Sequence, residues 1–171
     1  MISTSFKAKG VTCLWHFTDT RNLEAIREHG GLLPLLTLRE RGLQIPAPGG
    51  NELSHHLDNE KGLDRYVHCC FLRKHPMCYC AERDGRIVRT QWLKIDVEAL
   101  DYPGVMFTSD VANKEGVELL TPGKALEAID WEVLFTRTDW KQPEIQDRLQ
   151  KAEKSEILLP REVPVALILN I

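Results

Sequence analysis

The 171-residue chain has no apolar run of eighteen or more residues and no signal-peptide pattern at its N-terminus. We therefore expect a cytoplasmic protein without a membrane segment. It also has no G-x-G-x-x-G and no G-x-x-x-x-G-K-[ST] motif, which argues against a Rossmann or P-loop nucleotide site. Basic residues are not in excess, since the net charge is -3. Any nucleic-acid partner must therefore meet a local patch.

Paired metal-binding cysteines are missing as well. There are five cysteines, an odd number that argues against a complete disulfide framework, and none of them forms a C-x-x-C pair. The adjacent Cys69 and Cys70 would point to opposite faces of a strand. We therefore expect reduced, mostly buried cysteines and no metal. A zinc site is the alternative reading of one crowded stretch, formed by His68, Cys69, Cys70, His75, Cys78 and Cys80.

The remaining composition is that of an ordinary globular protein, with 43% hydrophobic and 27% charged residues. We expect one domain over residues 1–171. Strands are not followed regularly by helices, so the pattern predicts an α+β fold with a mixed or mostly antiparallel central sheet and flanking helices. The predicted strands are 11–17, 64–71, 86–97, 105–107, 157–159 and 165–169. The predicted helices are 19–29, one from 75 that ends near 84–85, 122–131 and 144–153. A long loop covers 35–63, with a short helix ending near 39–41.

Two places in this pattern suggest a polar site. Glu156 opens an apolar strand, and burying an acid there is costly unless it faces a cleft or a partner. The alternative is an exposed strand-edge glutamate. His16 and Thr18 end the first strand beside a helix N-terminus, where free N–H groups and a positive dipole suit a polar ligand. A structural histidine is the alternative for His16.

Basic and aromatic side chains meet in the irregular stretch 136–142, which carries Arg137, Trp140 and Lys141. An aromatic ring can stack on a nucleobase while cations bind the phosphates. This stretch is therefore our predicted nucleic-acid patch, although the same residues are common on any solvated surface.

Several segments, in one order, resemble a known family. W-H-F-T-D-T-R-N-L-E-A-I from Trp15, followed by G-G-L-L, is similar to H-[IF]-T-x-x-x-N-L-x-x-I…G-x-L. R-Y-V-H-C-C-F from Arg65, followed by H-P-M-C-Y, is similar to D-Y-V-P-F-Y-F…S-P-M-L-Y. T-S-D at 108–110, D-W-E at 130–132, Trp140 and the stretch 152–164 match further blocks. Together they resemble the DarT-type ADP-ribosyltransferases, enzymes that modify nucleic-acid bases.

The resemblance implies an ADP-ribosyltransferase-like fold and NAD as a substrate. It places Glu156 on the catalytic glutamate and His16, Thr18 and Asn22 on NAD-contacting positions. His16 and Thr18 would donate hydrogen bonds, His16 to a ribose hydroxyl and Thr18 near the nicotinamide amide. Tyr66 and Phe71 could stack on nicotinamide, or could belong to the core.

The resemblance also implies a functional arginine, assigned to Arg41 as a catalytic residue with Arg39 as the alternative. One arginine is further expected on the NAD diphosphate. Two departures stand out. Lys74 stands where the family has arginine, and Cys69-Cys70 replace aromatic residues, which removes stacking partners near the site and could alter the accepted base.

Cleavage of the nicotinamide–ribose bond builds positive charge on the ribose, which the Glu156 carboxylate can stabilise. It can also take a proton from an attacking base nitrogen. We therefore expect an NAD-dependent ADP-ribosyltransferase acting on thymine or another base in single-stranded DNA. The alternatives are an RNA substrate, an NAD glycohydrolase, or a non-catalytic nucleotide- or partner-binding paralogue. The resemblance further implies a toxin of a toxin–antitoxin or phage-defence system, with a macrodomain or other antitoxin as partner.

Overall fold

The computed structural model describes all 171 residues, as short helices and strands around one sheet. The strands are β1 Cys13–Asp19, β2 Gly31–Leu32, β3 Val67–Cys70, β4 Thr90–Asp96, β5 Met106–Thr108, β6 Glu156–Leu159 and β7 Val163–Pro164. The helices are α1 Ile2–Lys7, α2 Leu23–Glu28, α3 Leu35–Glu40, α4 Glu52–Glu60, α5 Pro76–Arg83, α6 Pro122–Ala128, α7 Trp131–Phe135 and α8 Pro143–Ala152. No helix has the length and apolar character needed to cross a membrane.

The central sheet has five strands in the order β4-β1-β3-β6-β5, and every neighbouring pair is antiparallel. β2 and β7 form a separate two-stranded sheet. This antiparallel sheet with helices around it confirms the predicted α+β class. The pairing is uneven: β1 pairs with β4 over seven residues but with β3 only at Trp15 and Cys70. Beyond that pair the two central strands part.

One face of the sheet carries the core. Ile157 and Leu159 of β6 lie on this face with Phe107 of β5, and all three are fully buried. An aromatic cluster joins the sheet to α1 and α7, with ring centroids 4.7 Å apart for Phe6 and Phe107. Since side chains alternate along a strand, Glu156 lies on the opposite face of the sheet.

Local sequence explains most element boundaries. α5 begins at Pro76, and the His75 side chain accepts a hydrogen bond from the Met77 N–H as its N-cap. α2 ends before Gly30 and Gly31, both with positive φ. At Gly31 a Cβ would collide with the Val163 carbonyl oxygen, so the approach of β2 to β7 requires glycine.

Three predicted elements were wrong and one helix was missed. Residues 52–60 form helix α4, not a loop; no residue of α4 is buried, so its sequence lacks the apolar period of a helix. The predicted strand 165–169 is a 3-10 turn at Val165–Leu167. The predicted helix 122–131 is split into α6 and α7, because the Asp130 side chain caps a new helix through the Val133 N–H. The short helix α1 was not predicted.

Candidate active site

A cleft with a volume of about 260 Å³ opens where β1 and β3 separate. Its walls come from these two strands, from the chain between α2 and α4, and from the start of α5. Both predicted groups of site residues reach it: residues 15–18 from one side and Glu156 from the other. The cleft-lining residues that matter most for chemistry are Trp15, His16, Thr18, Tyr66, His68 and Glu156.

Glu156 lies at the base of the cleft and is only 6% exposed. It pairs across the sheet with Cys70 on one side and Thr108 on the other, so its position is set by two strands. Its Oε2 lies 3.1 Å from His68 Nδ1, and its Oε1 lies 3.5 Å from His75 Nε2. The buried acid therefore has a partner at each oxygen, as the cost of burying a carboxylate requires.

His75 is a neutral ring beside this carboxylate, and its hydrogen bond goes to a backbone carbonyl. Its Nδ1 accepts the Met77 N–H at 3.3 Å, so the ring proton lies on Nε2. That Nε2 faces the Lys154 carbonyl at 3.3 Å as well as Glu156. Burial lowers the pKa of His75 by more than the Glu156 charge raises it, which keeps the ring uncharged at neutral pH.

His68 is the charged partner. Its Nδ1 faces Glu156 and its Nε2 lies 3.1 Å from the Leu63 carbonyl oxygen, so both nitrogens face acceptors. Only a doubly protonated ring satisfies both. Burial lowers the pKa of His68, but the hydrogen bond and charge of Glu156, the charge of Asp58 and the Leu63 carbonyl together raise it to about 9.

The crowded stretch that could have held zinc therefore has another explanation. His68 and His75 both lie against the Glu156 carboxylate. No group of three or more His, Cys, Asp or Glu side chains is placed to bind a metal ion. The five cysteines are free thiols, four of them buried. Nothing in the sequence linked these two histidines to an acid more than eighty residues away.

His16 bridges the gap between the separating strands. Its Nδ1 lies 2.8 Å from the His68 carbonyl oxygen and therefore donates to it. Burial, more than any other factor, lowers the pKa of His16, so the ring is neutral and its Nε2 is an acceptor. This reverses the donor role expected from the sequence: His16 can accept a hydrogen bond from a ribose hydroxyl.

Thr18 and Asn22 form a connected pair at the end of β1. The Asn22 amide donates to the Thr18 hydroxyl at 3.0 Å and to the Ala47 carbonyl at 2.7 Å, and its oxygen accepts the Ala47 N–H at 2.8 Å. Asn22 therefore holds the 45–50 loop against β1 with no amide hydrogen left to donate. Thr18 accepts from Asn22, so its own hydroxyl proton can be donated to a ligand.

The two predicted stacking residues separate. Tyr66 lines the cleft. Phe71 does not: it is 3% exposed and lies in the core, edge-on to Trp131 with centroids 5.1 Å apart. Of the two alternatives for Phe71, the structure favours the core, because alternation along the chain points Phe71 away from the cleft face that Cys70 occupies.

The structure does not bring Arg41 to the cleft. Arg41 follows α3, is 53% exposed and pairs with Glu162 at 3.3 Å, outside the cleft. Arg39 is better placed: its guanidinium lies 3.4 Å from Asp64, which lines the cleft. Burial and then the Arg39 charge lower the pKa of His55, another cleft residue. Arg39 thus lies beside the cleft, next to two of the residues that line it.

The predicted nucleic-acid patch is not at the cleft. Arg137, Trp140 and Lys141 are exposed and none lines the cleft. Their loop precedes α8, whose ten residues span about 15 Å between it and the turn leading to Glu156. A different aromatic does line the cleft: Trp15, whose ring has the Arg73 guanidinium 5.9 Å from its centroid.

Both the sequence and the fold of the chain are similar to those of known proteins. The family model described as "ssDNA thymidine ADP-ribosyltransferase, DarT" matches residues 15–171. The fold is similar to Thermus sp. 2.9 DarT in complex with ADP-ribosylated ssDNA, with a TM-score of 0.68, 20% identity, and coverage of 93% of this chain and 79% of that one. The same Thermus protein in complex with NAD+ matches at a TM-score of 0.60 and 22% identity, over 92% of this chain and 79% of that one.

A third similar structure is Thermosipho africanus DarTG in complex with ADP-ribose. It matches with a TM-score of 0.68 and 15% identity, covering 91% of this chain and 42% of that chain. No curated protein sequence matches significantly. Because the family model covers most of the chain, the chain belongs to the DarT family of ADP-ribosyltransferases.

Proposed function

We propose that this protein transfers ADP-ribose from NAD⁺ to a thymidine base of single-stranded DNA, with Glu156 as the catalytic carboxylate. The observation that carries the proposal is the buried Glu156, paired with a charged histidine and held at the base of a cleft whose opposite wall carries His16 and Thr18. Removing two charged groups from water is costly, and the raised pKa of His68 is a perturbation of the kind that concentrates at active sites.

The reaction breaks the bond between nicotinamide and ribose C1′ and forms a bond between C1′ and a ring nitrogen of the base. Positive charge grows on the ribose as the first bond breaks, and a carboxylate beside it lowers the barrier. A thymine ring nitrogen must lose its proton as the new bond forms, and Glu156 is the acceptor in this proposal. Because a strand without a partner needs no unpairing, a single-stranded target suits the enzyme.

The proposed hydrogen bonds of His16 and Thr18 with NAD⁺ use the acceptor and the donor that have no partner within the protein. Nε2 of His16 would accept from a ribose hydroxyl, and the Thr18 hydroxyl would donate to the nicotinamide amide oxygen. Tyr66 would stack on nicotinamide. Arg39, after release from Asp64, would take the diphosphate with its planar fork. Asn22 supports Thr18 and does not itself donate to NAD⁺ in this scheme.

For the DNA base we propose Trp15 in place of the 136–142 loop. β3 lacks the aromatic residues of the family pattern at Cys69-Cys70, and Trp15 lies directly across the ladder from Cys70. The neighbouring strand thus supplies a ring where β3 has none. Arg73 beside that ring brings a cation that can bind the DNA backbone.

The test is the mass of short single-stranded DNA and RNA oligonucleotides after incubation with NAD⁺ and either the protein or the Glu156→Ala variant. A gain of one ADP-ribosyl unit on thymidine-containing DNA, absent with the variant, is expected. A gain on RNA alone would overturn the DNA assignment, and nicotinamide release without a product would indicate an NAD glycohydrolase. Unchanged NAD⁺ and oligonucleotides would leave a nucleotide- or partner-binding role.

A toxin role is a further part of the proposal, with an antitoxin such as a macrodomain protein as its partner. It is supported by the family membership and by the likeness to DarTG in fold. Induced expression in bacteria should stop growth with the unaltered protein and not with Glu156→Ala. Equal growth arrest by both would contradict a toxicity that depends on ADP-ribose transfer.

A further inference from the structure

We propose that His68 is a positioning residue of the reaction: as an imidazolium, it fixes the Glu156 carboxylate through Nδ1 and makes transfer depend on its own protonation. This inference rests on the proposed function of Glu156. His68 stands where the family pattern quoted above has proline, which carries no side-chain donor. The contact that fixes the Glu156 carboxylate therefore depends on a residue of this chain that the family pattern lacks.

Geometry carries the inference. Both ring nitrogens of His68 lie 3.1 Å from oxygens that can only accept, Glu156 Oε2 and the Leu63 carbonyl oxygen. The ring thus lies between Leu63, the first residue of the 3-10 turn Leu63–Arg65, and Glu156 at the base of the cleft. Its backbone carbonyl is held in turn by His16 Nδ1 at 2.8 Å. One residue thus connects Glu156 with His16, across the gap between β3 and β1.

The charges around His68 favour the protonated ring. Glu156 of β6 and Asp58 of α4 are the carboxylates that face it, and both raise its pKa. Asp58 has a buried Oδ1 without a hydrogen-bond partner, and burial raises the pKa of that carboxyl. His16 of β1 and His75 of α5 are the other ionisable neighbours; burial lowers the pKa of each, so neither competes for the positive charge.

Two consequences follow for the reaction. The contact with His68 fixes the Glu156 carboxylate before NAD⁺ binds, and misplacement of a catalytic group by about 1 Å can cost a hundredfold in rate. As the pH rises past the point where His68 loses its proton, the ring can no longer serve both acceptors, and the rate should fall.

A matched pair of substitutions separates this role from a structural one. The amide nitrogen of asparagine takes the place of Nδ1, and that of glutamine takes the place of Nε2. His68→Asn therefore keeps the donor to Glu156, whereas His68→Gln keeps only the link to Leu63. We expect kcat for ADP-ribose transfer to fall about tenfold or more in His68→Gln and only a fewfold in His68→Asn, with the KM for NAD⁺ little changed. A purely structural bridge to Leu63 predicts the reverse order, which would overturn the inference.

A direct readout keeps this test separate from the proposed function. Nitrogen NMR of the labelled histidine rings, with His68 identified by its loss in His68→Asn, should show an imidazolium that titrates near pH 9 and moves back toward the ordinary value in Glu156→Gln. If His68 titrates near pH 6.5 in the unaltered protein, the inference is wrong, whether or not the enzyme is active. If His68 titrates as expected but no ADP-ribose is transferred, the proposed function has failed instead.

Discussion

Trp15 of β1 lies directly opposite Cys70 of β3, and this is the only position at which these two central strands pair. Below the pair the strands part and the cleft opens. Because cross-strand neighbours share one face of a sheet, Trp15 stands on the same side as Cys70 and Glu156. The last paired position of β1 and β3 therefore lies at the edge of the cleft, where a base stacked on Trp15 would face the Glu156 carboxylate.

This relationship predicts that Trp15 contributes to DNA binding by stacking. Trp15→Ala should weaken the affinity for a single-stranded oligonucleotide about tenfold, because base–aromatic stacking is worth about 1–3 kcal/mol. Trp15→Phe should restore most of it. Fluorescence anisotropy of a labelled oligonucleotide measures the effect. Trp92→Ala is the control: Trp92 lies on β4, outside the cleft. Equal losses in the two alanine variants would indicate a general effect on folding.

Replacing Glu156 by glutamine should separate charge from shape. The amide has nearly the same size, so β6 should still pair with β3 and β5. It carries no negative charge for the ribose and cannot take a proton. We expect kcat to fall by about a hundredfold to a thousandfold, as when other electrostatic contacts to a transition state are removed. Product formation measured by oligonucleotide mass would show it. A variant with more than a tenth of the original rate would contradict the catalytic role.

The sequence predicts some residues of the candidate site but not their partners. The cost of an acid at the start of an apolar strand made Glu156 a candidate, and a strand end beside a helix start did the same for His16 and Thr18. Their roles at NAD came from the family resemblance and not from these local patterns. All three residues were placed in the cleft by the structure. Their partners could not be found in this way, since His68 and Glu156 are 88 positions apart in the chain and meet only through strand register.

The differences between the expected and the observed arrangement also have physical causes. Phe71 was assigned to NAD by resemblance, although alternation along the strand places it opposite to Cys70, in the core. The family pattern does not distinguish Arg41 from Arg39, because only the folded chain shows Arg41 beside Glu162. α4 was read as a loop because it buries no residue and therefore shows no periodic apolar signal. A periodic apolar pattern in a sequence arises where a helix buries one face. A polar helix that lies over a cleft buries no such face, so the sequence does not predict it.

The two arginines of α3 and its C-terminus provide a paired prediction. Arg39→Ala should raise the KM for NAD⁺ about tenfold, because a charge-assisted contact to a phosphate is worth about 1.5–3 kcal/mol. Arg41→Ala should change it less than twofold, since Arg41 pairs with Glu162 on the exposed surface. Initial rates at varied NAD⁺ concentrations decide. A larger effect at Arg41 would indicate that Arg41, and not Arg39, contacts the diphosphate.

Asn22 should matter for stability as well as for binding. Asn22→Ala removes the partners of the Thr18 hydroxyl and of both backbone groups of Ala47, all within a buried region. Leaving buried polar groups unpaired costs about 1–3 kcal/mol each, so we expect about 3 kcal/mol of lost unfolding free energy in urea. Thr18→Val keeps the shape and loses only the hydroxyl, and it should raise the KM for NAD⁺ with a smaller loss of stability. Equal stability losses would contradict the division of roles.

The His68–Glu156 pair predicts a pH dependence of folding stability. The pKa of His68 is raised from 6.5 in the unfolded chain to about 9 in the folded protein. The stabilisation is therefore fully present below about pH 6.5 and is lost as the pH rises through about 9. For a ring that is 31% exposed, solvent screening reduces the expected contribution to about 2 kcal/mol. Urea unfolding at several pH values between 6 and 10 measures it.

Glu156→Gln is the control for this dependence, because it removes the charge that raises the pKa of His68 while keeping the residue's size. The part of the loss between about pH 6.5 and 9 that comes from His68 should then largely disappear. The buried thiols of Cys69, Cys70 and Cys78, whose pKa values burial raises, should still cause a loss of stability above about pH 8.5 in both proteins. His16, His55 and His75 all have lowered pKa values, so their titrations lie below this window and do not interfere. A loss of stability of the same size in both proteins would assign the effect to another group and leave His68 uncharged at neutral pH.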